Sequence, residues 1–236
     1  MKEVKGKVGA VIVAAGGSRR MAGVDKVFAE VEGRPLLAFV VDIFQSCSVI
    51  DEVVVVLSRG NLERGRRLAK EQVWPKLVEV CLGGARRQDS VSKGLLRLVG
   101  CDWVVIHDGA RPCISVDLIE RGLVAAQENG AAIAGVPVND TIKIVSRRGY
   151  VQETPKRECL WAIQTPQIFR FDLIKEAYGQ MSAEVTDDAM LLERLGHKVE
   201  VYMGSYDNIK LTTPEDLIVV ETFLKNRAGG DVSSWR

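Results

Sequence analysis

Apolar residues cluster in short runs separated by longer stretches in which they recur every three or four positions. The runs Val8–Ala15, Glu52–Leu57, Leu77–Leu82, Trp103–His107 and Ala131–Val138 are rich in Val and Ile and lack strict alternation. Such continuous runs predict strands covered on both faces. The periodic stretches between them predict helices near Pro35–Gln45, Leu62–Gln72, Gln88–Val99 and Val116–Glu128. Pro35 suits a first helical turn, where a missing N–H leaves no bond unmade. This alternation implies βαβ units and an α/β fold built on a doubly wound, mostly parallel Rossmann-like sheet.

The rhythm breaks after Val138. Thr141–Ser146 and Tyr150–Glu153 read as extended segments joined by Arg147-Arg148-Gly149, and Cys159–Thr165 as a further extended stretch. A β-hairpin arm over 139–165, projecting from the sheet, is the simplest account. A polar two-stranded arm is marginally stable alone, so a homodimer formed through the arms is expected. Helices near Asp172–Gly179 and Asp187–Leu195, a strand Lys198–Met203 and a last helix from Pro214 follow. Thr212–Asp216 supplies an N-cap, a Pro in the first turn and early acidic residues. The expected organisation is one domain over 1–228 and a disordered tail over 229–236.

Composition narrows the function classes. The chain has 236 residues, with 47% hydrophobic and 27% charged, enough for a sizeable core. Basic and acidic side chains number 32 and 31, which excludes the one-sided basic footprint of a nucleic-acid binder. The basic residues Arg64, Arg66, Arg67 and Lys70 alternate with Glu63 and Glu71 on a predicted helix and read as a solvated face. Five cysteines are widely spaced without a CxxC, and there are two histidines, so no zinc pattern is present. The cysteines read as reduced core residues of a cytoplasmic protein. No apolar run reaches membrane-spanning length, and the N-terminal run is too short for a signal peptide.

Three loops carry candidate chemistry. Ala14-Ala15-Gly16-Gly17-Ser18-Arg19-Arg20-Met21, followed by Lys26, leaves the first predicted strand. Doubly wound sheets bind ligands at such strand ends. Glycines let backbone N–H groups approach a phosphate or base, while Arg20 and Lys26 can neutralise a triphosphate. The stretch matches neither GxGxxG nor a P-loop, and by itself it reads equally as a glycine-rich turn. In Gly83-Gly84-Ala85-Arg86-Arg87-Gln88-Asp89-Ser90, glycine backbone could line a base, and Arg87 or Ser90 could reach phosphate or ribose. Alone, that stretch reads as a turn before a capped helix. His107-Asp108-Gly109-Ala110-Arg111-Pro112 follows a third strand, and a strand-end carboxylate such as Asp108 suits Mg²⁺. Asp207 is a candidate second carboxylate, and Lys210 beside it could hold an acceptor phosphate. The combination of glycine, cation and carboxylate on three strand ends points to a triphosphate–metal site.

AAGGSRRM with Lys26, GGARRQDSV, HDGARP, PVNDTIK, LWAIQTPQ, TDDA and DNIKLTTPEDL occur in this order. The set closely resembles the 2-C-methyl-D-erythritol 4-phosphate cytidylyltransferases, over about Val8 to Lys225. The resemblance implies condensation of CTP with the polyol phosphate, releasing pyrophosphate, in a homodimer that uses Mg²⁺ or another divalent cation. It implies that Ala14, Ala15, Gly16 and Gly84 contact cytidine with Ser90 nearby, and that Arg20 and Lys26 stabilise the α-phosphate in flight. It assigns Asp108 to substrate and Mg²⁺. Arg111, Thr141, Arg157, Thr165, Thr186 and Lys210 would surround the acceptor, with Thr141 and Arg157 supplied by the neighbour's arm. Two positions depart from the family pattern. Asp25 stands where a proline often precedes the lysine, and Ala85 where some members carry an acid. The competing readings are a ribitol 5-phosphate cytidylyltransferase, a dinucleotide-dependent dehydrogenase and a non-catalytic nucleotide-binding module.

Overall fold

The computed structural model describes residues 5–17, 25–181 and 183–228. Arg20 and the tail over 229–236 lie outside the described residues. The chain opens with β1 (Val8–Ala14), a two-residue hairpin of β2 (Glu30–Val31) and β3 (Arg34–Pro35), and α1 (Leu36–Ser46). It continues with β4 (Glu52–Leu57), α2 (Leu62–Gln72), β5 (Leu77–Leu82), α3 (Arg87–Leu95), β6 (Trp103–Asp108), α4 (Val116–Asn129) and β7 (Ala131–Pro137). The arm holds β8 (Ile144–Val145) and β9 (Val151–Glu153), and a 3₁₀ turn (Arg157–Cys159) leads into β10 (Trp161–Arg170). α5 (Phe171–Gly179), α6 (Ala189–Arg194), β11 (Glu200–Met203) and α7 (Pro214–Ala228) complete the described chain.

Seven strands form the main sheet in the order β11-β7-β10-β6-β1-β4-β5. All neighbours pair in parallel except β10, which runs antiparallel to both β6 and β7. β1 illustrates why its sequence has no polar side. Ala10, Ile12 and Ala14 pack towards α1 and α4, while Val11 and Val13 pack towards α3, α5 and α6. Both faces are covered, so alternation would bury polar groups without partners.

Three expectations are revised. Pro35 ends β3 and caps α1 rather than opening its first turn, and the β2–β3 hairpin turns through Glu32 and Gly33, both at positive φ. α3 ends at Leu95, so Leu96 and Val99 fall beyond it, largely exposed. The stretch 159–165 divides, because from Trp161 the chain is a strand of the main sheet rather than part of the hairpin. β10 keeps polar residues in a sheet interior because each finds partners, Gln164 and Gln167 from distant loops and Thr165 from the end of β6. Within the arm, β8 and β9 pair as a separate two-stranded sheet.

Candidate active site

From β1 the chain proceeds outward to β4 and β5, then returns to lay β6 on the other side of β1. The sheet's topological switch therefore lies between β1 and β6, where a doubly wound fold opens a ligand crevice. A cavity of about 230 Å³ occupies that place. Ala14, Ala15 and Gly16 line it from the end of β1, and Lys26 from the following loop. Gly84, Arg87 and Ser90 line it from the β5–α3 connection, and Asp108 and Lys210 close it.

The β5–α3 connection has little freedom. Ser90 Oγ accepts from the Gly84 N–H at 3.0 Å and donates to the Arg86 carbonyl at 3.1 Å. A Cβ on Gly84 would sit 2.3 Å from Cβ of Asp89, and one on Gly83 2.5 Å from Cβ of Ala15. These glycines let the loop close onto the start of α3 and the end of β1. The two adjacent arginines diverge. Arg86 turns outward, its Nη2 donating to Asp89 Oδ1 at 2.7 Å, whereas Arg87 turns in.

Four charged groups of alternating sign form a line at the cavity, three of them, Arg87, Asp108 and Lys210, on its wall. Buried Asp188 lies 2.8 Å from Arg87 Nη1, Arg87 Nε donates to Asp108 Oδ1 at 3.0 Å, and Lys210 Nζ donates to Asp108 Oδ2 at 2.6 Å. Burial alone would raise the Asp108 pKa, but Arg87 and then Lys210 outweigh it and hold the carboxyl well below the usual range. Asp188 is pushed up by burial, against the pull of Arg87 and the hydroxyl of Tyr178, which donates to it at 2.5 Å. Burial lowers the Arg87 pKa, but its two carboxylates reverse the sign and keep it charged.

Behind Asp108 lies a relay of neutral groups. Burial lowers the His107 pKa to about 4, so the ring is neutral at ordinary pH. Its Nε2 faces the Arg111 carbonyl at 3.1 Å and must carry the proton, leaving Nδ1 as acceptor. Thr165 Oγ1 then donates to Nδ1 at 3.1 Å and accepts from the Asp108 N–H at 3.0 Å. Thr165 is thus a buried support for Asp108. Arg111 donates to the Asn208 carbonyl at 2.7 Å, and its buried Nε has no partner among the described residues.

The other sequence-derived candidates sit elsewhere in this subunit. Thr186 is exposed ahead of α6 and approaches Met190 Sδ at 3.9 Å. Thr141 and Arg157 are exposed on the arm, with Arg157 Nη1 donating to the Asn139 carbonyl at 2.9 Å. Asp207 is exposed and lies outside the cavity lining. Asp188, Tyr178 and His107 have no role assigned by the sequence, although His107 and Asp188 stand within its motifs. TDDA contains Asp188, but its partner Arg87 is 101 positions away.

A family profile described as 2-C-methyl-D-erythritol 4-phosphate cytidylyltransferase matches residues 8–226. The chain belongs to this family. A 2-C-methyl-D-erythritol 4-phosphate cytidylyltransferase of Dehalococcoides mccartyi is 50% identical over 219 residues, spanning 93% of this chain and 96% of that protein. One from Alkaliphilus oremlandii is 45% identical over 230 residues, spanning 95% and 98%. Among solved structures, the 4-diphosphocytidyl-2C-methyl-D-erythritol synthase of Anaerococcus prevotii superposes with a TM-score of 0.83 at 33% identity, covering 93% of this chain and 96% of that one. The cytidylyltransferase of Thermus thermophilus gives 0.75 at 34% identity, covering 93% and 99%. As a member of this cytidylyltransferase family the chain is a nucleotidyltransferase, and the mixed α/β sheet is the fold these structures share.

Proposed function

We propose that this chain condenses CTP with 2-C-methyl-D-erythritol 4-phosphate, forming the CDP-linked polyol and pyrophosphate. The observation that carries the reading is the convergence of Lys26, Lys210 and Asp108 on one cavity floored by small residues at the β1–β6 switch point. An acceptor phosphate oxygen attacks the α-phosphorus of CTP. The bond from that phosphorus to the bridging oxygen breaks, and pyrophosphate carries away the electron pair. The nucleophile is already anionic, so no strong general base is needed. The demand is for cations that bring two polyanions together in a water-poor cleft.

Lys26, with Arg20 from the same loop, is assigned to the charge that grows on the α-phosphate. The backbone at Ala14, Ala15, Gly16 and Gly84, with Ser90 bracing it, takes the cytidine. Arg87, held between two carboxylates, serves the triphosphate side chiefly by fixing Asp108. Lys210 and Arg111 face the acceptor phosphate, and the buried Nε of Arg111 is a donor suited to an anionic oxygen. Thr186, exposed ahead of α6 and outside the cavity lining, is assigned to the outer edge of the acceptor side.

A divalent cation fits this donor set. Asp108 is ionised and is the one acidic side chain on the cavity wall among the described residues. Mg²⁺ is commonly held by one or two carboxylates together with substrate phosphates. Asp108 would hold it; Asp207, exposed and away from the wall, is the weaker candidate. The ion would neutralise phosphate charge.

The arm supports a second copy of this chain as partner. Ile144, Val145, Tyr150 and Val151 lie exposed on the β8–β9 hairpin, between 45% and 73% accessible, a surface that a lone hairpin cannot bury. Thr141 and Arg157 would then enter the neighbour's acceptor site. A cytoplasmic location accords with four of the five cysteines being buried thiols and none being paired. No described helix is long and apolar enough to cross a membrane. Pyrophosphate release with CTP and Mg²⁺, comparing methylerythritol phosphate with ribitol 5-phosphate, tests the reaction. Turnover with ribitol 5-phosphate alone, or CTP binding without turnover, overturns it.

A further inference from the structure

Lys26 rides on a short turn whose geometry is set by its neighbour Asp25. The Asp25 carbonyl accepts from the Phe28 N–H at 3.1 Å, and its Oδ1 accepts from the Val27 N–H at 3.2 Å. The next two residues seat the turn in the core, with Val27 and Phe28 both buried, and the Val27 carbonyl accepts from the Leu37 N–H at 2.9 Å. The α1 side of the turn is thereby fixed.

The other side is held by α2. Asn61 occupies the N-cap of that helix, a position where an Asn side chain ordinarily accepts from its own first turn. Here it makes no cap bond. Its amide instead donates to Asp25 Oδ2, across 36 residues of sequence. One turn further on, the Arg64 guanidinium carbon stands 4.4 Å from the centre of the Phe28 ring. The first turn of α2 thus grips the lysine turn at two points, and the helix forgoes a local cap to do so.

We infer that Asp25 and Asn61 form a positioning pair that fixes the turn carrying Lys26. The inference rests on the assignment of Lys26 to the α-phosphate. A lysine reaches its target on a four-carbon stem with many rotamers, so the placement of its backbone limits where the ammonium can wait. Small misplacements of a catalytic group cost roughly a hundredfold in rate. Aspartate at this position satisfies two acceptor demands at once: one oxygen takes the Val27 N–H and the other the Asn61 amide. Asparagine at 25 keeps the Val27 bond through its carbonyl oxygen, and its NH2 meets Asn61 once the Asn61 amide flips to present its own oxygen.

The test uses the full chain and pyrophosphate release from CTP and methylerythritol phosphate, with thermal unfolding alongside. Asn61→Ser restores an ordinary helix cap while abolishing the reach to Asp25, so its fold is retained or strengthened. It is expected to lower kcat by roughly tenfold to a hundredfold, while KM for CTP changes less than about threefold, since the cytidine loops are untouched. Asn61→Asp sets two carboxylates face to face and falls further. Asp25→Ala, which also removes the Val27 acceptor, loses at least as much as Asn61→Ser, their combination is no worse than Asp25→Ala alone, and Asp25→Asn recovers most of the lost rate. Lys26→Ala is run in parallel. If it is impaired while Asn61→Ser and Asp25→Ala turn over at the parental rate, the positioning pair is overturned and the catalytic assignment stands. If Lys26→Ala itself turns over normally, the assignment fails and the pair with it.

Discussion

Arg87 Nε meets Asp108 Oδ1 at 3.0 Å, joining the first turn of α3 to the end of β6. That contact is the middle of a chain that begins at Tyr178 and Asp188 and ends at Lys210. Asp188 is fully buried, so its removal leaves Arg87 with less compensation in a water-poor wall. Asp188→Ala is expected to cost about 3–5 kcal/mol of folding stability. Tyr178→Phe deletes one hydrogen bond to a charged group and is expected to cost roughly 1.5–3 kcal/mol. Urea unfolding of both variants checks this; stabilities equal to the parent's would mean that the buried pair does not hold the wall.

The neutral His107 ties stability to pH. Its pKa in the folded chain is about 4, against an ordinary value of 6.5. The unfolded chain therefore binds the extra proton as pH falls through that window. The stability contribution is fully present above about pH 6.5 and is lost towards pH 4, amounting to roughly 3 kcal/mol. Asp108, depressed by Arg87 and Lys210, adds a further loss once pH drops below its ordinary value of 3.8. Asp188, raised by burial, works in the opposite direction, because proton uptake there favours the folded chain. The urea midpoint should fall steadily from about pH 7 to about 4.5, and His107→Asn should flatten that slope. A flat parental profile counts against a buried neutral ring.

Lys26→Ala and Arg20→Ala are each expected to lower kcat by roughly two orders of magnitude or more, with the fold intact. Near-normal turnover in both would remove the pair from the chemistry.

Arg157→Ala is expected to raise KM for the acceptor, and to do so in the neighbouring subunit. Two impaired homodimers, Arg157→Ala and Lys26→Ala, should then complement when unfolded together and refolded. Random pairing makes half the dimers mixed, each with one intact site, so about a quarter of the parental activity should return. No recovery on mixing, or a fully active monomer lacking the arm, would place Arg157 outside the shared site.

Much of the architecture was legible in the pattern of apolar positions. The strands β1, β4, β5, β6 and β7 stand within one or two residues of the apolar runs, and α2 occupies Leu62–Gln72 as its periodicity requires. These are local signals, because a strand covered on both faces must be apolar throughout, whatever its neighbours. The three glycine, cation and carboxylate loops were legible too, since their strand ends alone place them in one crevice; Ala14, Lys26, Gly84 and Asp108 do line one cavity.

Tertiary structure decided the rest. β10 lies between β6 and β7 against the direction of both, and its polar residues are buried only because acceptors and donors arrive from remote loops and from the end of β6. Asp188, within TDDA, and Asn61, just before α2, each become a link in the site through a partner 101 or 36 positions away. Burial and pairing are properties of where two segments meet in space. A carboxylate or amide carries no mark in the sequence of the charge or donor that will face it once the chain has closed.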